Sequence, residues 1–236
     1  MTTVREIIED LETRADPVRA TTTQRFFKTN SGAYSEHDQF IGIRVPDLRK
    51  MAQHYVSTSV TEVVELLHSP IHEQRHLALL IWTYQYGKKT TSQTQRNQIY
   101  EAFLRNTDWI NNWDLVDCSV PHIVGEHLHH QSREILHTWV DSVNLWERRM
   151  SIVATWAFIK QQKYVETITI ANKLLLDKED LIQKAVGWML REVGKRDIST
   201  LYAFLDCHHT IMPRTMLRYS IERLPIDKKI LYMKRT

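Results

Sequence analysis

Residues 73–82 read EQRHLALLIW, and two later stretches, ERRMSIVATW (147–156) and IQKAVGWMLR (182–191), align with them without a gap. Each has apolar residues at helical spacing and opens with a basic residue in the same column, which holds Arg75, Arg149 and Lys184. The spacings along this column are 74 and 35 residues, and 74 is twice 37. One further repeat is therefore expected between the first two, with its equivalent position near Asn112. Arg218, 34 residues after Lys184, extends the column weakly. Helix-pair repeats of this length are the size of HEAT-like units, which stack so that their second helices line a concave face. The sequence thus predicts an all-α chain: a curved solenoid of HEAT-like helix-pair repeats, one domain over residues 1–236, with a basic track along its concave face.

The rest of the chain agrees with this reading. Val4, Ile7, Ile8 and Leu11, then Ile99 and Phe103, then Leu201, Phe204 and Leu205 continue the helical spacing, and no comparable period-2 stretch competes with it. The six prolines include Pro46, Pro70, Pro121 and Pro213 at expected helix starts or breaks. A hydrophobic content of 42% is ample for a continuous core. The net charge of +3 is mild, so only its distribution carries meaning. Cys118 and Cys207 lie 89 residues apart without a CxxC pattern, which suits thiols in a reducing compartment. The N-terminal segment carries acids where a secretory signal needs an apolar run, and no run approaches the ~18 apolar residues of a membrane span. A cytoplasmic protein is expected.

Chemistry concentrates at NWDLVD, residues 112–117. On a helix Trp113 and Asp117 project together, whereas Asp114 points about a quarter-turn away and is expected to serve local structure. The plainer alternative puts Trp113 in the core and makes Asp117 a cap or local partner. Two further elements hold an indole and a base in one register: NLWERR, with Trp146 three before Arg149, and QKAVGWMLRE, with Lys184, Trp188 and Arg191 at i, i+4 and i+7. Gly187 leaves room there for a neighbouring helix or a ligand. A face carrying Arg75, Arg149 and Lys184 beside Trp113, Trp188 and Trp146 suits the phosphates and sugars of nucleic acid, although repeat helices also open with bases that are merely solvated. A competing motif is HEQRH at 72–76, a literal HExxH, with Glu101 as a third zinc ligand. Its place in the repeat column favours a structural role, and GEHLHH (125–130) reads as a polar helix end. No GxSxG, Walker or GxGxxG pattern is present, so neither cofactor nor metal is expected.

Taken together, FIGIRVPDLRK (40–50), NWDLVD, NLWERR (144–149) and LIQKAVGWMLREVGK (181–195) resemble the bacterial DNA alkylation repair proteins of the AlkD type, HEAT-like-repeat alkylpurine DNA glycosylases. The blocks run in the family's order from about residue 40 to 195, while the first 35 residues and those after about 205 match loosely. The resemblance implies hydrolysis of the N-glycosidic bond of cationic N3- and N7-alkylpurines in duplex DNA, without flipping the lesion into a pocket. It implies Asp117 as the catalytic carboxylate, Trp113 and Trp188 against the sugar, and Arg149 on a phosphate. Arg148, Lys184, Arg75, Arg44, Arg191 and Arg218 are the further DNA contacts expected, and the protein is expected to be a monofunctional monomer that associates with the nucleoid during repair. The alternatives are a HEAT-like DNA-binding or scaffold protein without excision activity, and a zinc peptidase built on HEQRH.

Overall fold

The computed structural model describes residues 3–234, so the outermost residues of the expected 1–236 domain lie outside the described residues. No strand forms among the described residues, and the one β-type pairing is an isolated parallel bridge between Gln39 and Ile71. The fold is all-α and HEAT-like, as the repeat predicts. It divides into two compact units, residues 1–123 and 124–236. No helix among the described residues is long and apolar enough to cross a membrane.

The first unit contains α1 (Val4–Thr13), α2 (Pro17–Phe27), α3 (Val45–His54), α4 (Val60–Leu67), α5 (His72–Gly87), α6 (Gln93–Arg105) and α7 (Trp113–Val120). Its helix starts are written locally. Thr3 with Glu6, Ser59 with Glu62 and Ser92 with Gln95 form reciprocal capping boxes, and Asp16 caps α2 directly before Pro17. Helix α5 is the axis of the unit and packs on α3, α4 and α7. Leu77, Leu79, Ile81 and Trp82 are wholly buried, so α5 is apolar around most of its circumference rather than along one stripe. Between α2 and α3, Gly42 has φ +82°, and a Cβ there would lie 2.2 Å from the Asp16 carbonyl oxygen. Only glycine suits both the left-handed backbone and the approach of the α2 N-terminus.

The second unit contains α8 (Glu134–Val140), α9 (Leu145–Ala154), α10 (Trp156–Lys160), α11 (Val165–Lys173), α12 (Asp180–Gly194), α13 (Ile198–His208), α14 (Arg214–Ile221) and α15 (Ile226–Met233). Helix α12 is its axis and packs on α9, α11, α13 and α14. A Cβ on Gly187 would meet the Met216 carbonyl oxygen and the Tyr219 Cβ, each at 2.5 Å. The room beside Trp188 is therefore taken by α14.

Helices α9, α12 and α14 start at residues 145, 180 and 214, which matches the column spacings of 35 and 34, whereas α7 starts at residue 113, about four residues later than an even division of the gap between α5 and α9 requires. Asn112, inferred from spacing alone, is the N-cap of α7, and its side-chain oxygen accepts the Trp113 N–H at 2.8 Å. Trp146, expected near the basic face, is buried in the second unit at 8% exposure.

Candidate active site

Helix α7 brings three side chains of NWDLVD to one cavity of the first unit, of about 760 Å³: Trp113, Asp114 and Asp117. The i, i+4 pair faces the same space, as the helical period requires. The aromatic wall is built from distant sequence. The Trp113 indole stacks on Phe27 at 5.4 Å and 15°, meets Phe26 edge-on at 6.0 Å, and Phe27 stacks in turn on Phe40 at 5.1 Å. Phe26 is 65% exposed at this cavity. Half-buried Trp113 thus keeps part of its ring available while the rest is fixed by contact.

Below the wall lies a charged network that accounts for the polar residues of HEQRH. His72 donates from Nε2 to Asp114 Oδ2 at 2.8 Å and from Nδ1 to Asp38 Oδ2 at 3.1 Å. An imidazole that donates from both nitrogens is an imidazolium. Burial by itself lowers the pKa of His72, but the Asp114 and Asp38 carboxylates outweigh it and raise it to about 9. His76 Nδ1 sits 3.3 Å from Asp114, and although burial again opposes the charge, the neighbouring Cys118 and Asp114 raise this pKa to about 10. Burial would raise Asp114, yet the His72 and His76 charges hold it well below the usual carboxylate range. Asp38 is also held below its ordinary value: burial opposes ionisation, and bonds from His72, Arg75 and Asn112 overcome it. Glu73 accepts the backbone N–H groups of Ile41 at 3.1 Å and Gly42 at 2.7 Å, which ties FIGIR to the start of α5.

Two expectations change here. Arg75 is not on a DNA-facing track: it is 3% exposed, and its guanidinium is spent on Asp38 and the Ser69 carbonyl. The physical reason is Asp38, a buried carboxylate that requires a cation. Asp114, expected to act locally, does accept the Leu115 N–H, but its main partners are the two histidines of α5. Nothing in the local sequence announces this, because His72 lies 42 residues away.

His72, His76 and Asp114 each offer one ligand atom within 4.8 Å of the others, and no other such group occurs among the described residues. Two ligand atoms on one tetrahedral zinc lie about 3.3 Å apart at ordinary zinc–ligand lengths. His76 Nδ1 and Asp114 have that separation, at 3.3 Å, whereas the 2.8 Å between His72 Nε2 and Asp114 is a hydrogen-bond length. The remaining parts of a zinc peptidase are engaged elsewhere, with Glu73 on backbone amides and Glu101 exposed and 3.7 Å from Arg105. In GEHLHH, Glu126 accepts from Lys160 at 2.6 Å and lies 3.3 Å from His129, a polar cluster of the second unit.

The other expected residues are distributed as follows. Arg44 lines the same cavity as Asp117, is exposed, and pairs with Asp47 at 2.8 Å. In the second unit, Arg149 is 5% exposed and bonds the Leu181 carbonyl. Arg148 pairs with Asp177 at 2.8 Å and bonds the Ser142 and Val143 carbonyls. Lys184 pairs with Asp180 at 2.6 Å, Arg191 pairs with Glu222, Trp188 is half-buried, and Arg218 is exposed.

The fold and this site define an all-α HEAT-like protein with an indole and a carboxylate facing one aromatic-walled cavity. A family model described as DNA alkylation repair enzyme matches residues 7–224, and the chain belongs to that family. The match extends over most of both ends that resembled the family only loosely. Among solved structures, a chain described as "Predicted DNA alkylation repair enzyme from Enterococcus faecalis" is similar with a TM-score of 0.70 and 16% identity, covering 90% of this chain and 98% of that one. At that identity the likeness concerns the fold. No curated protein matches the chain.

Proposed function

We propose that the chain is a monofunctional DNA glycosylase that hydrolyses the N-glycosidic bond of cationic N3- and N7-alkylpurines in duplex DNA, opening base excision repair. The observation that supports this reading most is the pairing of Trp113 and Asp117 on one cavity in a member of a DNA alkylation repair family.

An alkylated purine already carries the positive charge that makes it a good leaving group, so the enzyme needs no general acid. As the C1′–N bond breaks, its electron pair neutralises the base and the deoxyribose becomes oxocarbenium-like. The Asp117 carboxylate stabilises that charge and orients the water whose oxygen bonds to C1′; the water's proton passes to the carboxylate and then to solvent. An indole face adds cation–π attraction that grows with the charge, worth about 0.5 to 2 kcal/mol, and it acts more on the transition state than on bound DNA. Trp113 supplies one such face, and the resemblance implies Trp188 as the second and Arg149 on a flanking phosphate; Arg149 is 5% exposed and bonded to the Leu181 carbonyl, so that role requires it to leave this bond. Exposed Arg44 and Arg218, with Lys184, are the proposed phosphate contacts, and Arg75 has no part in binding.

The test is single-turnover release of 7-methylguanine from methylated duplex. Asp117→Asn is expected to cost about 2 to 4 kcal/mol in the barrier, the scale of losing one preorganised electrostatic group, with DNA affinity nearly intact. Undiminished release by the variant would remove Asp117 from the chemistry. Wild-type protein that binds DNA but frees no base would instead support the non-catalytic HEAT-like binder.

A further inference from the structure

Helix α7 runs directly into the π-helical turn Pro121–Gly125, and the two residues proposed to work, Trp113 and Asp117, lie one turn apart at its N-terminal end. Helix formation by itself does not fix where that end sits, and the position of the first turn comes from tertiary contacts. Those contacts converge on one side chain. His72 bonds Asp114, in the first turn of α7, and also Asp38, which accepts from Nδ2 of Asn112, the α7 N-cap, at 2.9 Å. Asn112 is bound further to Ser35 at 2.6 Å and to the Trp113 N–H. The His72 ring also stacks on Phe40 at 4.7 Å and 27° and lies 5.0 Å from Phe27, the ring that carries Trp113. Both the carboxylate side and the aromatic side of α7 are therefore referred to the same imidazole, which is 2% exposed.

We propose that His72 is a positioning residue: clamped between Asp38 and Asp114, it fixes the first turn of α7 and the Phe27–Trp113 stack, and so sets where Asp117 and the Trp113 face point in the cavity. The reading rests on the glycosylase function proposed above. His72 does not touch substrate and is not a catalytic residue. A neutral imidazole has one N–H, so deprotonation leaves one of the two carboxylates without its donor and removes the charge that balances them. The charged and titratable groups around it are Asp38 from the loop before α3, Asp114 from α7, and Glu73, Arg75 and His76 from α5 itself.

The experiment uses the full chain and duplex DNA carrying 3-methyladenine, reading the single-turnover release rate and DNA affinity separately. His72→Gln keeps one donor and loses the charge. The expected result is a release rate lower by roughly 10- to 100-fold, the scale of a misplacement near 1 Å, with DNA affinity within about twofold. A general folding defect would lower both together. A variant rate within twofold of wild type overturns the proposal. If the variant does not fold, the wild-type pH profile decides: a rate that is level near neutrality and falls above about pH 9 supports the proposal, and a rate level to pH 10 overturns it. Wild-type protein that releases no base overturns the glycosylase reading itself, an outcome distinct from active wild type with an equally active variant.

Discussion

Helices α5 and α12 open with the same repeat column yet treat it in opposite ways. In α5 the run His72, Glu73, Gln74, Arg75 and His76 is buried throughout, and Arg75 neutralises Asp38. In α12 the equivalent Lys184 is 38% exposed and pairs with Asp180, itself 56% exposed, one turn earlier on the same helix. The lesson is that a repeat fixes where a basic residue sits along a helix but not whether it is interior. That depends on whether a distant segment supplies a counter-charge, as the residues before α3 do for α5.

The comparison breaks most easily at Arg75. Arg75→Ala leaves Asp38 buried with less compensation and is expected to cost about 3 to 5 kcal/mol in urea unfolding. A loss under 1 kcal/mol would mean that the α5 network contributes no more than a surface pair.

The next effect is on pH. The folded pKa of His72 lies above its ordinary 6.5, so its contribution is fully present below pH 6.5 and is lost as pH rises through about 9. That change is on the order of 3 kcal/mol. Asp38 and Asp114 have the opposite sign: their contribution is present above the ordinary carboxylate pKa and lost as pH falls through their depressed values. Amide exchange should show protection of α5 falling between pH 6.5 and 9.5 while α12 changes little. Equal loss in both helices would sink the assignment of the effect to the buried histidines of α5, His72 and His76.

Gly187→Ala asks whether α12 has an interior constraint of its own. Alanine favours a helix by about 1 kcal/mol, but its Cβ would press on the α14 backbone, an overpacking cost of about 1 to 3 kcal/mol. Net destabilisation is expected in thermal unfolding; a stabilised variant would show that α14 yields. The smallest effect belongs to Lys184→Ala, expected within about 0.5 kcal/mol in the same measurement because exposed pairs contribute little. A loss near that of Arg75→Ala would erase the contrast.

Helix content, the helix starts or breaks at Pro46, Pro70, Pro121 and Pro213, and a repeat element near Asn112 were legible because proline geometry and apolar period act over three to four residues. The shared face of Trp113 and Asp117 was legible for the same reason. Asp114 was not, since its role comes from His72 and His76 on another helix. Trp146 and Arg75 were expected at an accessible face and are buried, because burial is decided by what packs against a position. In HEQRH the spacing correctly put two imidazoles on one face, but what they face is a carboxylate from α7, and Glu73 holds the FIGIR backbone.

The sequence alone thus determined an all-α repeat chain and the side chains α7 presents together, because helical geometry is a local property of the backbone. Only the tertiary structure decided which bases and acids are interior, which rings back Trp113, and which imidazole clamps α7. Those choices join residues 31 to 87 positions apart, and charge compensation and ring stacking depend on distance in space rather than along the chain.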